Sequence, residues 1–414
     1  MYKEGSRTGV LLLLLTFLLE TAVAEDDLLS MFYLNDNGIT VMCPLVPVGS
    51  KGWVGGVLYT KRDETQLRDI IAAGEQQWPL LETTCTSGVK NMSGLFWNCI
   101  PDQYDYDWKG VFTCSSKFYD RAINGFNQDI SRWDTSSVED MSQMFYNSSF
   151  NGPISFWDTS NVEDMSWMFC RAAKFNQPLA GWNTAKVKSM EGMFPLAKTF
   201  NQQVGTWNTG NVENMAQMFR DAHEFNQPIG EWNTSKVQTI AFMFEDAEVF
   251  NQPIGSWDTS KVTNMRSTFH RARKFNSPLG NWNTHRVTNM AELFSMTPFD
   301  QDISLWNTSQ VISLHAMFSS AESFNQPIGN WDVSNAEYIS DMFFAATSFN
   351  QSLNGWDTRN IIDMVRTFYG ATSFNQDLSD WIVNPNVESC LGFAEKTTAW
   401  TLPQPTFNFC KADL

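Results

Sequence analysis

The sequence has few of the residues from which nucleic-acid and membrane-surface sites are built. It contains 28 lysine and arginine residues against 45 aspartate and glutamate residues, a net charge of −17. Its longest basic cluster is the stretch Arg271–Lys274. Nucleic acid and anionic membranes are therefore not expected as partners, because both are bound through clustered positive charge. An acidic chain of this kind fits an extracellular surface better.

Metal-binding patterns are also missing. There is no C-x-x-C motif, and the 4 histidines lie far apart, at His223, His270, His285 and His315. We therefore expect neither a metal nor a cofactor. Carboxylates are plentiful, but they alternate with neutral amides at equivalent positions, which a general acid would not tolerate. The sequence accordingly predicts a protein that is not an enzyme.

Apolar runs are short except near the start. Lys3 and Arg7 precede the apolar run Val10–Leu19, which is followed by Ala22-Val23-Ala24. This order predicts a secretory signal peptide over residues 1–24, cleaved before Glu25; the alternative is an uncleaved signal anchor. No other stretch reaches the 18 apolar residues of a membrane span. We predict a secreted or cell-surface chain without a transmembrane span in its mature form.

What the sequence does contain is a repeat, of which Phe225–Val249 is a representative copy. A tryptophan recurs with a period of 25 residues and two steps of 24, at Trp133, Trp157, Trp182, Trp207, Trp232, Trp257, Trp282, Trp306, Trp331, Trp356 and Trp381. A phenylalanine keeps the same phase, at Phe126, Phe150, Phe175, Phe200, Phe225, Phe250, Phe275, Phe299, Phe324, Phe349 and Phe374. A period in this range is typical of a solenoid.

Each repeat has two halves with different patterns. Apolar residues at Val212, Met215, Met218, Phe219 and Ala222 follow helical spacing, and pairs such as Ser235 and Gln238 resemble capping boxes. This half is predicted to be a helix of about three turns. The other half, such as Phe225–Trp232, contains Pro and Gly and is predicted to be extended, with a strand near the Ile and Trp.

Two polar columns accompany the apolar ones. An Asn follows each Phe except at Asp300. We interpret it as an internal ladder whose amides bond the adjacent coils, because an unpaired buried amide costs about 1–3 kcal/mol; a row of ligand contacts is the alternative. The Asp or Asn after each Trp except Trp381 is interpreted as turn or helix-start chemistry.

The repeat unit resembles the 25-residue repeat of BspA-like leucine-rich-repeat surface proteins, with V-x-x-M-x-x-M-F-x-x-A and F-N-Q-x-I-x-x-W-D-T-S-N matched through residues 126–394. The resemblance implies an α/β solenoid on an exported or surface protein. We therefore expect a curved, leucine-rich-repeat-like array of about eleven strand-plus-short-helix coils with non-repeat caps. Strands should lie on its inside, because stacked strands are ~4.8 Å apart and packed helices ~8–10 Å.

The chain then divides into five segments. Residues 1–24 are the signal peptide, 25–88 an N-terminal cap, 89–125 a half-repeat with an insert, 126–381 the tandem array, and 382–414 a degenerate last coil with the C-terminal cap. The cap is expected to contain two short strands, ITVMC and WVGGVLYT, and a helix over Asp63–Ala73. The insert is rich in Asp, Tyr and Trp.

The cysteines fall in groups that suggest three disulfides in the caps and insert, provided that the compartment is oxidising. The pairs are Cys43–Cys85, Cys99–Cys114 and Cys390–Cys410, which leaves Cys170 free. Five N-x-S/T sequons allow N-glycosylation, at Asn91, Asn147, Asn233, Asn307 and Asn350.

A candidate binding surface follows from the position before each Trp, which varies freely between two fixed neighbours. We name this column the pre-Trp stripe; it comprises Arg132, Phe156, Thr206, Glu231, Ser256, Asn281, Leu305, Asn330 and Asp380. A position so unconstrained by packing is expected to face solvent and to line the concave binding surface of a solenoid; the alternative is that it is merely exposed.

The predicted function is therefore a secreted or cell-surface scaffold for the recognition or adhesion of an extracellular protein or glycan. One alternative is a structural component of a wall or matrix. A second is ice or mineral binding through a threonine column, formed by Thr135, Thr159, Thr184, Thr209, Thr234, Thr259, Thr284, Thr308 and Thr358.

Overall fold

The computed structural model describes residues 31–97 and 125–408. The predicted signal peptide, most of the insert with Cys99 and Cys114, and Cys410 lie outside these ranges.

The segment before the array contains strands β1 (Tyr33–Leu34) and β2 (Val41–Met42), which pair antiparallel. Strands β3 (Lys51–Val54), β4 (Val57–Lys61) and β5 (Thr84–Cys85) form a sheet in the order β3-β4-β5. Helices α1 (Glu64–Ala72) and α2 (Pro79–Glu82) connect β4 to β5.

Helix α1 matches the prediction, and Asp63 caps it by accepting a hydrogen bond from the Gln66 N–H at 2.9 Å. The stretch WVGGVLYT, however, is a hairpin and not a single strand. Gly55 and Gly56 have φ of +58° and +82°, which a two-residue hairpin turn requires and glycine adopts at little cost.

This N-terminal segment covers the open end of the array. Its buried residues Leu67, Ile71, Trp78 and Leu81 belong to the same apolar core as the repeats. The Trp133 Nε1–H donates to the Leu81 carbonyl at 2.9 Å. Residues before Val89 therefore supply the neighbour that the first coil would otherwise lack.

The repeats are joined by a ladder of single parallel bridges. These join equivalent residues of successive coils, from Asn91 and Asp140 through Asn214, Thr239 and Asn264 to Ser389. Beyond the bridge the backbone bonds continue across coils: the N–H groups of Met215, Gln217 and Phe219 donate to the carbonyls of Thr239, Ala241 and Met243 at 2.8–3.2 Å. In the Met-Phe half of each repeat, every second N–H group is thus bonded to the next coil of the stack.

The three-turn helix predicted for this half is wrong. Among the described residues of the array there is no α-helix. The segment is a run of turns in which Met218 N–H donates to the Met215 carbonyl at 3.3 Å and Arg220 N–H to the Gln217 carbonyl at 3.2 Å. Gln217 and Asp221 have φ of 59° and 54°, and this left-handed conformation recurs at the equivalent positions of the other coils. It ends helical winding every fourth residue.

The spacing of the coils explains why a helix cannot form here. Phe219, Phe244 and Phe269 stack on one another with ring centroids 5.7–5.8 Å apart. Packed helices need ~8–10 Å between their axes, so the stack is too tight for them. The buried positions were nevertheless predicted correctly, because turns of three to four residues return the chain to the core about as often as a helix does.

The strand predicted near the Ile and Trp is also wrong. The Trp232 N–H donates to the Ile229 carbonyl at 3.2 Å, which closes a turn at that point. The predicted capping boxes are also wrong. The Ser235 N–H donates to the Asn233 side-chain oxygen at 3.1 Å, in an Asx turn that does not begin a helix. The inter-coil bridges therefore lie in the half that was expected to be helical.

The other half is held across coils by side chains. The Asn226 N–H donates to the Asn201 side-chain oxygen at 3.1 Å, and Gln227 Nε2 donates to the same oxygen at 2.8 Å. The Asn ladder between coils is thus confirmed, although its asparagines are half-buried or exposed and not buried as expected. Each tryptophan is buried, and its Nε1–H donates to a carbonyl of the preceding coil, as from Trp232 to Val204 at 3.0 Å. Polar groups inside the stack are paired at nearly every coil.

The last coil is closed by aromatic side chains. Trp400 packs edge-on against Phe374 with ring centroids 4.7 Å apart, and Phe407 packs against Phe393 at 4.9 Å. The Leu378 N–H donates to the Pro403 carbonyl at 2.9 Å. These contacts take the place that a further coil would occupy.

Candidate functional surfaces

The pre-Trp stripe lies on the surface. All nine of its residues are exposed, with Leu305 88% and Phe156 53% accessible. The turn that buries each Trp points the preceding residue away from the core. Two members are partly committed to neighbouring coils: Thr206 Oγ1–H donates to the Ala180 carbonyl at 3.1 Å and Ser256 Oγ–H to the Gly230 carbonyl at 2.8 Å.

Grooves run between the coils on this face. One of ≈ 490 Å³ has the stripe residues Thr206, Glu231 and Ser256 in its walls, together with Pro228 and Pro253. Another of ≈ 300 Å³ contains Asn281, Leu305 and Pro278. Both are shallow, rigid and of mixed polarity. Such a surface suits an extended ligand lying across several coils better than a small molecule that must be enclosed.

The backbone of this face is close-packed. A Cβ added to Gly230 would lie 2.5 Å from the carbonyl oxygen of Pro253 in the next coil. The glycine is therefore required by the close approach of the two coils. The side chains of the stripe thus stand on a backbone with little freedom to move.

The threonine column does not lie on the surface. All nine threonines are buried, and each Oγ1–H donates to a carbonyl of the following coil at 2.8–3.0 Å. A row of hydroxyls that is buried and already hydrogen-bonded cannot order water or contact a mineral. The expectation of an ice or mineral face formed by this column is therefore wrong.

A second surface, which the sequence analysis missed, lies on the bridge side. A groove of ≈ 400 Å³ is lined by residues that include Arg266, His270, Glu292, Asp341 and Arg366. Arg266 Nη2 lies 3.1 Å from Glu292 Oε1, and Arg366 Nε lies 2.8 Å from Asp341 Oδ1. Its charges are thus largely paired within the protein. The signal for it was the variable chemistry of the positions that follow the first buried apolar residue of the Met-Phe half, such as Arg266, Glu292 and Arg366.

A buried ion pair lies farther along the same side. Arg220 Nε is 2.9 Å from Glu245 Oε2, and the Glu245 side chain is fully buried. The pair links two coils. The Asp221 carboxylate lies beside the same guanidinium, with its Oδ2 3.5 Å from Arg220 Nε.

The cysteines of the described residues play structural roles. Cys43 and Cys85 form a disulfide, the pairing suggested by the sequence. Cys390 is also disulfide-bonded, and Cys410, its expected partner, lies outside the described residues. Cys170 is free and buried, and burial raises the pKa of its thiol to about 12. A thiol that stays protonated at neutral pH is a poor nucleophile.

The sequons differ in exposure. Asn233, Asn307 and Asn350 are exposed, whereas Asn91 and Asn147 are half-buried. Asn350 also accepts a hydrogen bond from the Asn375 N–H at 2.9 Å and so belongs to the internal ladder. The side-chain oxygen of Asn350 is therefore already hydrogen-bonded, although the residue is exposed to solvent.

Neither metal ligation nor membrane spanning is seen in residues 31–97 and 125–408. No group of three His, Cys, Asp or Glu side chains there is arranged to hold a metal ion. No helix in those ranges has the length and apolar character needed to cross a bilayer.

Comparison with known protein families gives a match along most of the chain. The family model described as "Mycoplasma protein of unknown function, DUF285" matches four overlapping stretches, residues 71–147, 112–224, 197–298 and 278–381. No curated protein and no solved structure matches the chain. The matched stretches cover the array and part of the N-terminal segment.

Proposed function

We propose a recognition function for this chain, which belongs to the DUF285 family of proteins of unknown function. In this proposal the protein is a non-catalytic scaffold that binds an extracellular protein or glycan. The observation that carries it is the pre-Trp stripe: chemically varied side chains are displayed at a fixed spacing on coils whose backbones are locked to one another. A regular frame with variable exposed positions is the arrangement that repeat proteins use for binding.

The array is proposed to be a curved solenoid, of the BspA-like kind that the sequence resembles. Equivalent rings from the coils of Phe219 to Phe343 are 5.7–5.9 Å apart. In the same region the tryptophans from Trp207 to Trp331 are 6.2–6.5 Å apart. Direct backbone bridges hold strands at ~4.8 Å. The coils therefore spread from the bridge side towards the Trp side.

This spreading supports a curvature opposite to the one expected from the sequence. Backbone-to-backbone bonds set the short spacing on the bridge side, whereas the bonds on the Trp side pass through Asn, Gln and Trp side chains, which span a longer distance. The pre-Trp stripe would then lie on the convex face and the groove of Arg266, Glu292 and Arg366 on the concave one. The stripe remains the better candidate surface, because the charges of that groove are paired within the protein.

The location is proposed to be secreted or at the cell surface. The apolar run Val10–Leu19 followed by Ala22-Val23-Ala24 supports export. The Cys43–Cys85 disulfide supports an oxidising compartment. Exposed Asn233 and Asn307 could then carry glycans in a host that attaches them.

The experiment that tests recognition starts from the purified mature chain on glycan and secreted-protein arrays. The triple variant Phe156→Ser, Glu231→Ser and Leu305→Ser is then compared with wild type against each hit. Because all three side chains are exposed, circular dichroism and the melting temperature should stay near wild type. Binding should weaken by at least roughly tenfold, about 1.4 kcal/mol.

A matched control places the same kind of change on the other face. The variant Thr263→Ala with Thr288→Ala alters two exposed residues beside the bridge ladder and should leave binding unchanged. If the stripe variant keeps its fold and its full affinity while the control loses affinity, the ligand binds the bridge side and the stripe is not the site. If no ligand is found and the chain instead assembles with itself into large particles, that result supports the alternative function as a structural component of a wall or matrix.

A further inference from the structure

Exposed apolar side chains are concentrated at the N-terminal cap. Of the sixteen large apolar residues found exposed among the described ones, eight lie between Tyr33 and Leu80, in about a seventh of the described residues. Trp53 is the largest of them and is 56% exposed. Of these residues, Trp53 and Leu58 are exposed directly opposite each other in the ladder of β3 and β4, and adjoining exposed apolar side chains of this kind are typical of an interface.

Trp53 lies on β3, which is an edge strand. The order β3-β4-β5 leaves one side of β3 without a partner among the described residues. The Lys61 N–H donates to the Ser50 carbonyl at 2.9 Å, which fixes the alternation of the antiparallel ladder. Gly52 and Val54 then face β4 with their backbone groups, whereas the N–H and C=O groups of Lys51 and Trp53 point outward.

The two faces of β3 are not equivalent. Gly52 and Val54 are buried, and the Phe32 ring lies against Gly52, where an added Cβ would be 2.3 Å from it. That face is filled by the cap's own core. Lys51 and Trp53 share the opposite, exposed face, so both the free backbone edge and the free side chains of β3 are presented to solvent together.

The edge is complementary to itself. In an antiparallel pairing of two β3 strands with the two-fold axis at Gly52, Lys51 of each copy is opposite Trp53 of the other. The outward N–H and C=O groups of these residues form four backbone hydrogen bonds. Each ammonium group lies beside an indole ring, which attracts cations. A register with the two-fold axis at Lys51 would instead place Lys51 opposite Lys51, and the two ammonium groups would repel.

We propose that the cap is a dimerisation surface at which β3 pairs with β3 of a second copy of this chain. The contact is isologous, so it closes with two copies and does not propagate into a fibre. The two three-stranded sheets become one sheet of six strands. This inference stands on the cap alone and is independent of ligand recognition by the array.

Sedimentation of the purified mature chain over a range of concentrations tests the proposal. Wild type should be a dimer at micromolar concentration. Trp53→Lys puts a cation opposite Lys51 and should weaken dimerisation at least about a hundredfold. Leu58→Lys is the matched control: it adds the same charge beside Trp53, on the exposed face of β4 but away from the edge, and should leave dimerisation within about threefold of wild type.

Cross-linking gives an independent reading that does not depend on the stability of Trp53→Lys. The variants Lys51→Cys and Trp53→Cys, mixed and oxidised, should form a disulfide between copies far more efficiently than either variant alone, because the pairing juxtaposes these two positions. A monomeric wild type at about 100 µM, a dimeric Trp53→Lys variant, or cross-linking no better in the mixture than in the separate variants would each overturn the proposal.

Discussion

At the scale of single residues, each coil is fastened to its neighbours by side chains that do two tasks. Trp232 stacks between Trp207 and Trp257 with ring centroids 6.5 and 6.3 Å away, and its Nε1–H donates to the Val204 carbonyl at 3.0 Å. The ring supplies buried apolar area, and the indole N–H adds a bond between coils to a carbonyl that also accepts from the Trp207 N–H of its own turn at 3.1 Å. A tryptophan therefore suits this position better than a phenylalanine.

We predict that Trp232→Ala lowers the free energy of unfolding by about 3–5 kcal/mol, because it leaves a cavity in the middle of the stack and removes the bond between the indole and the Val204 carbonyl. Glu231→Ala, at the exposed neighbouring position, is the control and should change it by less than about 0.5 kcal/mol. Chemical denaturation followed by tryptophan fluorescence and circular dichroism measures both. Equal stability of the two variants would mean that the Trp column does not carry the core.

At the scale of the repeat element, the Met-Phe half is defined by turns whose amides leave their own chain. Gln217 has φ of 59°, and its N–H donates to the Ala241 carbonyl of the next coil at 2.8 Å. The left-handed conformation costs a non-glycine residue ~1–2 kcal/mol. It persists because the bond to the neighbouring coil and the burial of Met215 and Met218 on either side outweigh that cost.

We predict that Gln217→Pro destabilises the array by about 3 kcal/mol or more, because proline fixes φ near −65° and removes the bonded N–H. Gln203→Pro is the matched control. Gln203 occupies the column that holds exposed Pro178, Pro228 and Pro253 in other coils, so this change should be neutral or stabilise by up to about 1 kcal/mol. Thermal and urea unfolding separate the two outcomes; comparable losses would show that the described turn geometry is incorrect.

At the scale of the whole molecule, the array is a stack in which each coil contacts only its neighbours and both ends are covered. Trp78 packs against Phe126 at one end, with ring centroids 5.4 Å apart, and Trp400 against Phe374 at the other, at 4.7 Å. Stability in such a stack is a sum of coils and nearest-neighbour interfaces. The number of coils should therefore affect the stability of the array less than the alignment of equivalent positions in successive coils.

We predict that deleting one full period, residues Asn325–Phe349, gives a folded protein with cooperative unfolding and only a modestly lower melting temperature. The deletion joins Phe324 to Asn350, so every column stays in register. It removes Asp341 and so breaks its half-buried ion pair with Arg366. Deleting the twelve residues Asn325–Ala336 breaks the register. This shorter deletion should abolish cooperative unfolding in calorimetry, and if it is tolerated as well as the longer one, the coils do not depend on their neighbours.

The sequence by itself determined the period, the buried positions and the internal Asn ladder. Each follows from recurrence: a residue type kept at Trp232, Phe225 or Asn226 through many copies must serve the same contact in each. The position of the pre-Trp stripe was found in the same way, by its lack of recurrence between fixed neighbours. Composition and periodicity were sufficient for these because they concern which residues are inside and which are outside.

The tertiary structure decided how the backbone bonds. Val212, Met215 and Met218 point inward at a spacing that a helix and a series of turns share, so the pattern could not choose between them. The choice depends on the distance to the next coil: at 5.7–5.9 Å between equivalent phenylalanines the carbonyls of a neighbouring coil are within reach of each N–H, and a helix does not fit. The groove of Arg266, Glu292 and Asp341 also arises only from that stacking, because it joins residues about 25 to 75 positions apart.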